Sequence, residues 1–166
     1  MSIAQSMLPE FDHEMVGTRK MLERLPEDKL EFKPDPRSMA LGRLAGHTAE
    51  MAGWGTVIVT TDELNLEPGA MEPLVATSKQ QILAAFDKTV TDARAALAGA
   101  TDDQMMGVWT LKVGGNAVMS MPRAAMIRSM VMNHTIHHRA QLGVYYRMNG
   151  VPIPGLYGPS ADDPSF

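Results

Sequence analysis

The sequence predicts an all-α fold, a four-helix bundle, and two observations support it. Four segments carry apolar residues at steps of three and four positions, which is the spacing of one face of an α-helix. The alternation typical of strands is almost absent. The chain has 166 residues and no internal repeat, which suits a single domain, residues 1–166, with a buried core.

Cysteine is absent from the chain, and this limits its chemistry. A metal ion would need nitrogen or oxygen ligands, and any thiol in a reaction would come from outside. A chain without disulfides suits the reducing cytoplasm, where we expect the protein. The N-terminus lacks the pattern of a signal peptide, and no apolar stretch is long enough for a membrane span.

The formal net charge of -4 argues against sequence-independent binding to nucleic acid. The charge is unevenly placed, because only basic charged residues occur between Asp103 and Asp162. They are either solvated side chains that pair with acidic neighbours or the mildly positive wall of a cleft for an anionic substrate. These residues are Lys112, Arg123, Arg128, Arg139 and Arg147.

The first two predicted helices run from about Ile3 to Leu25 and from about Met39 to Thr60. His13 lies about 160° from the apolar stripe of the first helix, so we expect it at the surface. In the second helix His47 takes a position in the apolar stripe, which also contains Trp54, an expected core residue. A bend or a close helix contact is expected from two glycines of this helix, Gly53 and Gly55.

The third predicted helix runs from about Lys79 to Ala98 and lies between two connections, 61–77 and 101–121. The second connection is long enough to cross from one end of a bundle to the other. Its segment Trp109–Val113 alternates and is followed by Gly114-Gly115-Asn116, which predicts a short hairpin or an extended segment.

The fourth predicted helix runs from about Pro122 to Asn149 and ends before Gly150. The tail, Pro152 to Phe166, is too rich in proline and glycine for a helix. We expect it to lie across the surface of the bundle, near the cleft. The inward stripe of the fourth helix comprises Ile127, Val131, His134, His138, Leu142 and Tyr145.

Three of the five histidines lie close together in this fourth helix. His134 and His138 are four positions apart, so they share a face and can reach one metal ion. His137 lies about 100° from His138 and could instead pair with His134, so geometry leaves both pairs open. The apolar stripe favours His138, with His137 at the boundary. The alternative to a metal site is a pair of core imidazoles satisfied by polar partners.

A third candidate ligand, His47, lies on the buried face of another helix. A single histidine in an apolar stripe is usually a core or boundary residue. Three neutral imidazoles around one ion, however, would leave positions open for water and substrate, as in catalytic sites. Glu50 follows His47 by three positions, so its carboxylate is a candidate general base. The alternative for Glu50 is a surface carboxylate paired with an arginine.

These residues carry a resemblance to a known family. The segment Asn133–Leu142, with its pattern His-x-x-x-His-His-Arg-x-Gln, and the segment Ser38–His47 are similar to the DinB-like superfamily of metalloproteins, of the DinB/YfiT type. The similarity continues through Val144–Arg147 and Val151–Ser160, whereas the first and third helices match only in pattern.

The resemblance implies a four-helix bundle with long crossover connections, which often forms a homodimer. It also implies a metal triad that maps onto His47, His134 and His138. Characterised relatives include metal-dependent thiol transferases and isomerases that use a low-molecular-weight thiol such as bacillithiol, mycothiol or glutathione. Many members have no known activity.

We therefore expect a protein that binds one divalent metal ion, zinc or nickel before iron or manganese. The first hypothesis is a transferase or hydrolase in which a metal-activated thiolate or water attacks a small electrophile, with a low-molecular-weight thiol as cosubstrate. The second is a non-catalytic metal-binding bundle with a stress-related or structural role. The expected partners are a small-molecule substrate and a second copy of the chain, without nucleic acid or membrane.

Overall fold

The computed structural model describes residues 1–67, 69 and 72–164. Pro68 of the predicted connection and the tail residues Ser165 and Phe166 lie outside the described residues. In chain order the elements are α1 (Ile3–Leu22), a 3-10 turn (Glu27–Lys29), α2 (Leu41–Glu50), α3 (Gly53–Thr60), β1 (Glu63–Leu66), α4 (Lys79–Gly99), α5 (Asp102–Met106), β2 (Val108–Val113), β3 (Asn116–Pro122), α6 (Arg123–Met126), a π-helical segment (Ile127–Asn133) and α7 (His134–Met148).

The long helices pack around one cluster of buried apolar side chains. Helix α4 contacts α1, α2 and α3, while α7 contacts α1 and α2. The third predicted helix is confirmed as α4, and Ser78 caps it by accepting a hydrogen bond from the Gln81 backbone N–H. None of the helices in the described part of the chain combines the length and apolar character that crossing a membrane requires.

The second predicted helix is interrupted and forms α2 and α3, with the break at residues 51–52. Gly55 then allows a close contact, since a Cβ there would lie 3.2 Å from the Ala93 Cβ on α4. The contact at Gly46 on α2 is tighter still, because a Cβ there would clash with the Leu74 carbonyl oxygen. The backbone around Leu74 therefore lies directly against α2.

The all-α prediction is confirmed only in part, because β1, β2 and β3 form a three-stranded sheet in that order. Strand β1 pairs with β2 in parallel, and β2 pairs with β3 in an antiparallel hairpin. The predicted hairpin is confirmed, and its turn residues Gly114 and Gly115 have φ of 54° and 80°. Such two-residue turns need positive φ at both positions, which glycine adopts without strain. The fold is mostly helical with a small sheet.

The fourth predicted helix occurs as α6, the π-helical segment and α7 in direct succession. The π-helical segment contacts α3 and ends immediately before His134. The described part of the tail is free of helix, as expected, and its Ile153 and Leu156 pack against the core. Its Tyr157 contacts α1 and α7.

Candidate metal centre

Two histidines of α7 face each other at the start of that helix. The Nε2 atoms of His134 and His138 are 2.8 Å apart, and their ring centroids are 4.6 Å apart. Their spacing of four positions puts them on one face of α7, as the sequence predicts. His138 is buried and His134 is half-buried.

His47 of α2 completes the group. Its ring centroid lies 4.5 Å from that of His138 and 5.3 Å from that of His134. One ring nitrogen from each of the three histidines lies within 4.8 Å of the other two. The three residues predicted as ligands are therefore brought together by contact between α2 and α7.

The other two histidines lie outside this group. His137 is exposed, although its ring centroid is 4.8 Å from that of His138. Helix geometry left open whether His137 or His138 pairs with His134. In the structure it is His138 that groups with His134 and His47. His13 is exposed on α1, as predicted, and its ring centroid lies 6.1 Å from that of Tyr157.

Hydrogen bonds to the outer ring nitrogens orient the α7 pair. His138 Nδ1 lies 2.7 Å from Gln141 Oε1. An amide oxygen only accepts, so Nδ1 carries the proton and the Nε2 lone pair is left free. The ring of His134 hydrogen-bonds to the backbone of Met130 in the π-helical segment. Partners of this kind set the tautomer and orientation of metal-binding histidines.

The three imidazoles are neutral at neutral pH. Burial, and then the neighbouring His138, Arg43 and His134, lower the pKa of His47 to about 4. Burial is also the main cause that lowers the pKa values of His134 and His138. Neutral nitrogen donors that converge in this way match the ligands of a divalent cation such as zinc.

Glu50 is held beside His47. Its Oε2 accepts a hydrogen bond of 3.1 Å from Arg43, and its Oε1 accepts one of 2.6 Å from the Leu74 backbone N–H. Oε2 also lies 3.9 Å from His47 Nδ1. Glu50 thus has features of both sequence interpretations, because it pairs with an arginine and also lies next to a candidate ligand. Its catalytic role stays a prediction.

Arg43 is the site residue that the sequence reasoning missed. Its Nη1 also donates to the Leu74 carbonyl at 3.0 Å, and its Nη2 lies 3.5 Å from His47 Nδ1. Arg43 precedes His47 by four positions and so lies on the same face of α2. That spacing was the available signal, but the partner segment around Leu74 could not be placed from the sequence.

An open cavity of about 460 Å³ lies beside His47. Trp54, predicted as a core residue, packs against the core and also forms part of the cavity wall. We call this cavity the cleft. It is lined by Arg43, His47, Glu50, Met51, Gly53, Trp54, Val57, Leu64, Glu72, Pro73 and Thr89.

The contacts of the basic residues favour the first interpretation, pairing with acidic neighbours, over a positive wall of this cleft. None of the five basic residues between Asp103 and Asp162 lines the cleft. Each pairs with an acidic side chain from another part of the chain, which gives the uneven charge a structural explanation. The pairs are Lys112–Glu63, Arg123–Asp62, Arg128–Glu10, Arg139–Glu14 and Arg147–Asp162.

The chain is similar to known proteins both in sequence and in fold. The uncharacterized protein YrdA of Bacillus subtilis strain 168 is 26% identical over 156 residues, which are 94% of this chain and 89% of YrdA. The crystal structure of a DinB-like protein from Bacillus cereus ATCC 10987 matches with a TM-score of 0.69 and 26% identity, over 92% of this chain and 97% of that chain.

A second crystal structure, of the DinB-like protein YjoA from Bacillus subtilis, has a TM-score of 0.67 and 18% identity, over 89% of this chain and 96% of that one. At that identity the similarity shows the fold alone. The family model described as the DinB family matches residues 1–165 of this chain. With this match over nearly its whole length, the chain belongs to the DinB family.

Proposed function

We propose that this protein is a metal-dependent enzyme that joins a small thiol to a small electrophile. In this proposal His47, His134 and His138 hold one divalent cation, and the cleft receives the substrate. One observation carries the proposal: three neutral imidazoles converge within 4.8 Å, and one of them also lines an open cavity. A closed structural site would not need that cavity.

The donor set fits such a cation, because the lone pairs of neutral imidazoles suit zinc or nickel and also accept iron or manganese. A divalent cation here would lower the pKa of a bound thiol, or of a water in a hydrolytic variant of the reaction. The thiol must come from outside, since the chain contains no cysteine.

Glu50 is the proposed base for the proton that leaves the thiol. Arg43 and the Leu74 backbone N–H hold its two oxygens, so the carboxylate faces the site in a fixed orientation. In the reaction a sulfur–carbon bond forms while the bond to the leaving group breaks. The leaving group takes that electron pair, and Glu50 passes the thiol proton to solvent.

Metal content tests the first part of the proposal. Protein prepared without an affinity tag should hold about one divalent cation per chain by elemental analysis. His138→Ala should lose most of it, whereas His137→Ala, which removes an exposed neighbour, should retain it. Wild-type protein that stays metal-free after incubation with nickel, zinc and manganese would contradict the proposal.

Turnover separates an enzyme from a non-catalytic metal-binding bundle. Low-molecular-weight thiols would be screened against alkylating electrophiles with metal-loaded protein. If the site is catalytic, His138→Ala should abolish turnover and barely change the melting temperature. Absence of turnover with every pair, together with a large loss of stability in that variant, would favour the structural role.

A further inference from the structure

We propose that the cleft binds the uncharged, apolar body of the electrophile and discriminates against anionic compounds. This inference rests on the proposed function, and it adds the substrate class. Its basis is the character of the cleft wall. Most of the wall is apolar, with contributions from Met51, Trp54, Val57, Leu64 and Pro73.

The polar groups of the wall are largely satisfied by the protein itself. The Thr89 hydroxyl is shared between the backbone carbonyls of Ala49 and Phe86, each at 2.9 Å. Its methyl group is the atom nearest to a Cβ built on Gly53, another wall residue. Thr89 therefore offers the cleft mainly apolar surface.

The charges of the wall do not favour an anion. Arg43 is bound to Glu50 and to the Leu74 carbonyl. Glu72 is exposed at the wall and adds a second carboxylate. The wall thus carries one arginine against two glutamates. In the metal-free cleft a bound carboxylate would lose hydration and would meet no cation of the wall that is free of an acidic partner, which is unfavourable.

Trp54 gives the cleft a flat apolar surface. It is half-buried and lies in the wall together with Val57, which follows it on α3. An aromatic or aliphatic ligand can pack on such a ring. The volume of about 460 Å³ is within the usual range for small-molecule sites.

The test compares two probes of similar shape, neutral 4-nitrotoluene and anionic 4-nitrobenzoate, on metal-free protein. Nitroaromatic compounds quench indole fluorescence, so binding is followed through Trp54 and confirmed by equilibrium dialysis. The second tryptophan, Trp109, is fully buried, so Trp54→Phe should remove most of the quenching. We expect 4-nitrotoluene to bind at least about tenfold more tightly than 4-nitrobenzoate.

A charge reversal in the wall sharpens the test. Glu72→Lys should strengthen binding of 4-nitrobenzoate several-fold and leave 4-nitrotoluene unchanged. The matched control, Glu31→Lys, alters an exposed glutamate outside the wall and should leave both affinities as they are. Equal affinity of wild-type protein for the two probes, or no binding of 4-nitrotoluene, would overturn the inference.

The inference and the proposed function can fail separately. Binding of 4-nitrotoluene is measured on metal-free protein, so its result does not depend on the metal content. If the protein binds 4-nitrotoluene but holds no metal, the inference of an apolar cleft is retained and the proposal of a metal-dependent enzyme is rejected. Metal content and turnover without this preference for the neutral probe would retain the enzyme and reject the substrate class.

Discussion

Helix α7 buries polar side chains on two sides, and the two groups are built differently. On the side of α1, Arg139 pairs with Glu14 at 2.7 Å, and their side chains are only 3% and 7% exposed. Arg139 also donates to the Glu14 carbonyl and to Thr18, and Tyr157 donates to Glu14 at 2.6 Å. Opposite charges and donors matched to acceptors satisfy this group internally.

On the side of α2, the three histidines form a group of like character. His138 and His134 present Nε2 atoms to each other at 2.8 Å, and His47 adds a third base. A neutral imidazole has one acceptor nitrogen. Two such acceptors face each other here without a positive charge between them, whereas Arg139 supplies that charge to Glu14. This difference indicates that the Arg139–Glu14 group is part of the scaffold and that the histidine group is suited to binding a ligand.

The largest expected effect comes from breaking the internally satisfied group. Arg139→Leu should lower the free energy of unfolding by about 3–5 kcal/mol, because it leaves the Glu14 carboxylate buried without its cationic partner. Urea denaturation of metal-free protein measures this loss. His138→Leu should cost much less in the same assay, since it removes one of several like bases.

A double variant is the control for this prediction. Glu14→Leu combined with Arg139→Leu should recover much of the lost stability, because no unpaired charge then remains buried. A loss below about 1 kcal/mol for Arg139→Leu alone would equal that of an exposed ion pair and would contradict the scaffold role.

A smaller effect is expected from a partner of the histidine group. Gln141→Leu removes the acceptor that fixes the His138 ring and should weaken divalent-metal affinity about 10–100-fold. Competition with a chromogenic chelator measures the affinity. His137→Leu is the matched control and should keep wild-type affinity. Unchanged affinity in Gln141→Leu would show that Gln141 does not orient the ligand.

The smallest effect concerns pH. The pKa of His47 is lowered to about 4 in the folded protein, from 6.5 in an ordinary histidine. The unfolded chain therefore binds more protons below pH 6.5, and stability should fall as pH drops from about 6.5 to about 4. Melting temperatures of metal-free wild-type protein and His47→Leu would be compared, and the variant should show the shallower decline. Parallel curves would contradict this assignment.

The histidine group could be predicted because its signals are local. A spacing of four positions and membership of apolar stripes depend only on helical periodicity. The contacts of Gln141 with His138 and of Arg139 with Glu14 come from the structure, because motif spacing alone does not assign partners to these side chains. Arg43 was missed because its contacts depend on the Leu74 segment, which only the tertiary structure brings to α2.

The sheet and the π-helical segment show where sequence patterns fail. Strand β1 is four residues long, and its partner β2 lies far along the chain, so no local pattern identifies the pair. Residues 127–133 carry no proline or glycine, and their apolar spacing reads as an ordinary helix. The π-helical segment packs against α3, a tertiary contact that the local sequence pattern does not reveal.

The buried ion pair of Arg139 also determines the rotation of α7 about its axis. Arg139 directly follows His138, so their side chains diverge by about 100°. Turning α7 by that angle to present His137 to α2 would withdraw Arg139 from Glu14. The ion pair thus favours the orientation of α7 that presents His138 to α2 over the orientation that would present His137. Which histidines of α7 face His47 is therefore determined in part by a carboxylate on α1, a helix that does not contribute to the histidine group.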